Sequence, residues 1–173
     1  MWISKRALLT TLFAAIAAAS LALAASALGD HGHGKGRGNP LLDESLAPSQ
    51  SQPPDPTFHG VAPGGAPWVL KQSDVTISRG GRLDLRVKGL VIPVAPGNGT
   101  PGPVTTITAS LYCGADAGTA AADTSQSVPI SRRGDARIRD RSFNVPATCL
   151  APVVLVHPNG DPDHYIAVSG WRF

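Results

Sequence analysis

Glutamate is almost missing from this chain: Glu44 is the only one in 173 residues. A pair of catalytic carboxylates of the glycosidase kind would therefore need two aspartates. Methionine occurs once, cysteine twice, and aromatic residues make up 5%. There is no Gly-x-Ser-x-Gly elbow, phosphate-cradling glycine loop, zinc-binding helix motif or Cys/His pairing, so the usual local marks of an enzyme are lacking. Excess charge is also scarce. The formal net charge is +3, and once Lys5 and Arg6 are assigned to a removable leader, 13 basic residues face 12 acidic ones. The pI of 9.2 therefore gives no bulk electrostatic case for nucleic acid as a partner. Sustained helical spacing and internal repeats are absent too. Nineteen Gly and 16 Pro, a fifth of the residues, exclude long helices over most of the sequence.

The one long apolar run lies at the start. Lys5 and Arg6 precede Ala7–Leu28, 22 uncharged residues of which ten are alanine. The run ends in small-x-small triplets, Ala22-Leu23-Ala24 and Ala25-Ser26-Ala27. A positive start, an apolar middle and such an end predict a signal peptide over residues 1–27 and an exported protein. The alternative is an uncleaved anchor, since about 20 apolar residues can cross a bilayer. Alanine contributes little to insertion, so cleavage is the favoured reading. Membrane contact then arises only if the leader is kept.

Gly29–Pro67 holds eight Gly and seven Pro in 39 residues. A segment so poor in regularly spaced apolar residues predicts a disordered linker over 28–67, flexible near Gly29–Gly38 and stiffer around Gln52–Pro56. His31 and His33 read as polar spacers of this tract, against copper or nickel capture by a free Gly29-Asp30-His31 end, which would need cleavage after Leu28, a poor fit to the small-residue rule.

From Trp68 onward the period becomes two. Val75 and Ile77 alternate with Thr76 and Ser78; Leu83, Leu85 and Val87 alternate with Asp84, Arg86 and Lys88. Ile107, Ala109, Leu111 and Cys113 share one face of another run. Val128 and Ile130 lead into a turn at Arg132–Asp135, and Ala136 and Ile138 lead out of it. Val153–Val156 is an apolar run, β-branched at three of its four positions, with the turn signal Asn159-Gly160-Asp161 after it, and Ile166 and Val168 mark a last strand. About seven short strands over 68–173 predict an all-β domain, an immunoglobulin-like antiparallel β-sandwich. No Trp lies between the cysteines, so that likeness is one of architecture only. Cys113 and Cys149 stand 36 positions apart in the exported part. They form either a disulfide stapling the interior of the sandwich, as export favours, or a pair of buried free thiols.

The segments Trp68-Val-Leu, Gly81-Arg-Leu-Asp-Leu-Arg-Val, Ile107–Cys113 and Cys149–Gly160 resemble uncharacterised exported proteins of high-GC bacteria. The resemblance spans the β region and implies export and a bridge, with no chemistry attached.

Four sets of residues invite a functional reading. Arg137, Arg139 and Arg141 alternate along one strand, with Arg132 and Arg133 nearby. They could dock an anionic wall polymer, or serve as a solvated strand face or a charged edge. Tyr165, Trp171 and Phe173 share parity and could stack on sugar rings, unless a bulge at Gly170 turns Trp171 and Phe173 into the core. His157, Asp161, Asp163 and His164 are weak candidates for a metal site and for a small metal-assisted hydrolase, against a plain turn. Arg133-Gly134-Asp135 matches an integrin-read tripeptide, for which chance is the better account. The sequence thus predicts a secreted, non-catalytic binding or structural module with no cofactor. Its partner classes are a cell-wall polymer or another envelope protein.

Overall fold

In this computed structural model the chain is described at residues 40–51, 53–115, 118 and 120–170. The expected leader, the first part of the expected linker (28–39) and Trp171 and Phe173 lie outside the described residues. Among those described, every regular element is a strand.

The alternating runs build the first sheet. Strand β4 (Gln72–Ser78) pairs antiparallel with β5 (Arg82–Lys88) through seven registered pairs, from Gln72↔Lys88 to Ser78↔Arg82. On the far side of β5 runs β9 (Ala136–Asp140), with Leu85 opposite Ile138. Alternation sends Val75, Ile77, Leu83, Leu85, Val87 and Ile138 to one face, where all are buried. The opposite face carries the charged members.

The second sheet is centred on β6 (Thr106–Tyr112) and β10 (Val153–Pro158), antiparallel with Leu111 opposite Val154. β12 (Ala167–Ser169) flanks β10, while β7 (Asp123–Thr124) and β8 (Val128–Pro129) flank β6. Ile107, Ala109, Leu111, Val154 and Val156 meet the apolar face of the first sheet in one core with Trp68, Leu90 and Phe143. Two antiparallel sheets packed on a shared core make the molecule sandwich-like.

Seven of these strands (β4, β5, β6, β8, β9, β10 and β12) are the alternating or β-branched runs, but the strand set is larger. The stretch 40–67, expected to be linker, is part of the fold. β1 (Pro40–Glu44) pairs with β4 at the edge of the first sheet, and β2 (Leu46–Pro48) pairs with β12 at the edge of the second. The chain changes sheets at Ser45, burying Leu42 in one layer and Leu46 in the other. β3 (Ala62–Pro63) runs parallel to β11 (His164–Tyr165). These contacts give the segment the apolar burial that its composition withholds.

The segment also covers the outside of the second sheet. Val61, Tyr112, Leu155, Tyr165 and Val168 form a separate buried cluster, with Phe58 against it. The Tyr165 hydroxyl donates to Pro56 O at 2.8 Å, and the Phe58 ring meets the Tyr165 ring edge-on at 5.6 Å. Strand β6 is therefore buried on both faces, which explains why it reads less cleanly as half-buried than β5 does.

Two expected connections differ as well. β8 and β9 do not form a hairpin: β8 pairs β6 in one sheet and β9 pairs β5 in the other, so the turn at 131–135 carries the chain across the sandwich. The Cys113–Cys149 disulfide is present. It ties the end of β6 to the approach of β10, which are neighbours in one sheet (Tyr112 opposite Val153), rather than stapling one layer to the other. The loop it closes would add about 4 kcal/mol in the chain-entropy picture.

Candidate binding surface

The outer face of the first sheet is open, and its charges follow from strand alternation. β5 presents Arg82, Asp84, Arg86 and Lys88; β9 presents Arg137 and Arg139; Arg141 follows just past the end of β9. Register sets Asp84 against Arg139 and Arg86 against Arg137, with Asp74 of β4 on the other side of Arg86. Like charges directly across a ladder are unfavourable, and Asp84 relieves the pairing. Its carboxylate accepts two hydrogen bonds from Arg137, Nε to Oδ1 at 3.1 Å and Nη2 to Oδ2 at 2.7 Å. Arg139 Nε lies 4.0 Å from the same carboxylate. The bond to Asp84 holds the Arg137 guanidinium, already always charged, still further from losing its proton.

The three-arginine stripe expected on β9 is thus altered in two ways. β9 ends at Asp140, so Arg141 lies beyond the regular strand, and Arg137 is engaged by Asp84 instead of being presented free. Arg132 and Arg133 are exposed on the turn before β9, at the opposite end from Arg141. The partners that complete the surface (Arg82, Asp84, Arg86 and Lys88) are visible in sequence only as the polar half of an alternating strand. Their juxtaposition with β9 bridges about fifty residues of chain, and no local spacing encodes it.

Residues 40–173 contain eleven Lys/Arg and eleven Asp/Glu, so this part of the chain is neutral overall. Six of its cations (Arg82, Arg86, Lys88, Arg137, Arg139 and Arg141) nevertheless fall on or just past two adjacent strands. Asp84 is the single carboxylate at the outward positions of those strands among the described residues. Two shallow hollows lie between them. One of 230 Å³ is lined by Arg82, Leu83, Asp84, Arg139, Asp140 and Arg141. The other, of 310 Å³, is lined by Arg86, Val87, Lys88, Asp135, Ala136 and Arg137.

The remaining candidates are placed elsewhere. Tyr165 is fully buried, so it offers no sugar platform; burial pushes its phenol far above the ordinary range. A bend at Ile166 breaks the alternation and puts Tyr165 and Val168 in one cluster and Ile166 and Ala167 in the other. The partners expected beside it, Trp171 and Phe173, lie outside the described residues. His157 is buried, its Nδ1 2.9 Å from the His164 carbonyl, which makes Nδ1 the donor and leaves Nε2 without a partner. Burial holds its pKa below the usual histidine range. Asp161 turns to the backbone N–H of Asp163 and to His164 Nδ1 at 2.8 Å, and both hold its carboxyl below the ordinary range. Among the described residues no three His, Cys, Asp or Glu side chains are grouped to share a metal ion.

Arg133-Gly134-Asp135 is built into the turn. Gly134 has φ of 78° and packs so closely on the Leu90 backbone that a Cβ would collide with it. The Asp135 carboxylate accepts from Gly89 N at 3.0 Å.

Compared with protein-family models, curated proteins and solved structures, the chain matches none of them.

Proposed function

We propose that this chain is an exported, non-catalytic module of immunoglobulin-like architecture. It acts at the cell envelope or outside the cell by binding an anionic polymer on the open face of its first sheet. The observation that carries the reading is the segregation of charge: a neutral stretch of chain gathers six cations on or just past two adjacent strands of an open face, against one outward carboxylate, Asp84, on those strands. The outer face of the other sheet is occupied by the protein's own chain. Guanidinium groups in a row recognise carboxylate, sulfate or phosphate through paired N–H donors. Export rests on the leader-like start and is supported by the disulfide, since such bridges persist in oxidising compartments.

The test is retention on a heparin column with salt elution. The wild-type protein is expected to be held and then released by salt, as a screened electrostatic contact must be. The triple substitution Arg86→Ser, Arg139→Ser, Arg141→Ser should pass through while melting at the wild-type temperature. Flow-through of the wild-type protein at low salt, or unchanged elution of the triple variant, defeats the proposal.

A further inference from the structure

We infer that this face prefers a linear polysaccharide carrying its anionic groups at intervals, such as a polymer with one uronate per disaccharide, over a polyanion charged on every unit. The inference deepens the binding reading above and rests on it. Outward positions on a strand recur every second residue, so at about 3.4 Å per residue Arg82 and Arg86 stand about 14 Å apart. Midway between them is Asp84, which grips Arg137 with two hydrogen bonds and has Arg139 at 4.0 Å. The middle of the surface is therefore compensated by Asp84, and the cations that it does not hold lie to either side. Arg82 and Arg141 line one hollow together with Arg139, Asp84 and Asp140, and Arg86 and Lys88 the other together with Arg137 and Asp135, so that cations outnumber carboxylates in each.

A ligand stretched along the strands meets cation, carboxylate, cation. A polymer with a charge on each unit brings one anion over Asp84, where it is repelled and must compete with that carboxylate for Arg137. A polymer that skips a unit puts its anions in the two hollows and an uncharged sugar over the centre. Carboxylates temper both ends: Asp74 beside Arg86 and Asp135 beside Lys88 at one, Asp84 and Asp140 beside Arg82 and Arg141 at the other. The outward positions of β4, β5 and β9 hold no aromatic residue, so a neutral polysaccharide has no stacking surface and should not bind.

The experiment uses the full chain at fixed, moderate salt. It compares hyaluronan, with one carboxylate per disaccharide, with polyphosphate of matched contour length and with dextran. Hyaluronan should bind at least tenfold more tightly than polyphosphate, and dextran not at all. Arg82→Ser with Arg141→Ser should weaken hyaluronan binding at least tenfold. Asp84→Asn should raise polyphosphate affinity and erase most of the preference. Equal or tighter binding of polyphosphate by the wild-type protein overturns the spacing inference and leaves the polyanion reading standing. Binding of neither charged polymer removes both. The wild-type comparison holds even if a variant fails to fold.

Discussion

A chain that begins at Gly64 would keep every strand that sequence alternation marks, and it should still fail to fold cooperatively. The cut removes β1, β2 and β3 together with Phe58. Leu42, Leu46 and Val61 are exposed by only 9%, 7% and 5%. At roughly 1.5–3 kcal/mol for each fully buried aliphatic side chain, the three alone contribute about 5–9 kcal/mol. The loss then grows, because Tyr165, Leu155 and Val168 lose their cover and β4 and β12 become sheet edges. A domain of this size has a total stability of about 5–15 kcal/mol, so the expected result is a chain without a native baseline. Urea unfolding followed by tryptophan fluorescence and far-UV circular dichroism, with the disulfide intact, measures it. Leu46→Ala in the full chain is the graded companion and should cost about 2–5 kcal/mol. If the shortened chain unfolds cooperatively within about 1 kcal/mol of the full one, the assignment of residues 40–63 to the core is wrong.

Three further outcomes are expected. Gly134→Ala should cost more than about 3 kcal/mol in urea melts, because the new Cβ meets the Leu90 backbone and the residue needs positive φ; a loss under 1 kcal/mol contradicts that packing. Asn159→Ala should cost about 2 kcal/mol and Asn159→Asp about half as much. The Asn159 side-chain oxygen accepts from the backbone N–H of Thr105 and Thr106, an acceptor that aspartate keeps and alanine lacks. His157 gives stability a pH dependence of definite sign. Its folded pKa lies below the ordinary value, so the unfolded chain binds the extra proton first. Stability is complete above about pH 6.5 and falls as the pH drops below it. Thermal melts between pH 7.5 and 5 should show the fall, and His157→Gln should flatten it; an identical slope in the variant assigns the acid sensitivity elsewhere.

The legible part of the fold is the part whose burial is local in pattern. β5 shows one buried face and one charged face in strict alternation, and its sequence says so. The stretch 40–63 is illegible for a physical reason. Its apolar residues do not alternate, because the chain switches sheets at Ser45, the β1 register slips between Pro40 and Leu42, and the segment beyond lies across a sheet as an irregular cover. Prolines that weaken a central strand are at no disadvantage at sheet edges. Here Pro40 and Pro48 sit in edge strands and Pro63 in the short strand paired with β11, so a composition that reads as linker is equally that of a well-kept edge.

The surface shows the same division between what a strand carries and what it faces. Arg137, Arg139 and the outward series of β5 are each readable as charged faces, and nothing in either run says that they adjoin. Adjacency decides the chemistry. Had β9 paired behind β8 as a hairpin, its arginines would have stood without Asp84. The turn at 131–135 instead crosses the sandwich, with Gly134 pressed on Leu90 and Asp135 on Gly89. That crossing delivers β9 to β5 in the register that sets Arg137 within reach of Asp84 and leaves Arg82, Arg86 and Arg141 unclaimed by it. Gly134 therefore governs the charge pattern of a face on which it has no side chain, and a substitution there should disturb the polyanion binding proposed for that face even where the fold survives.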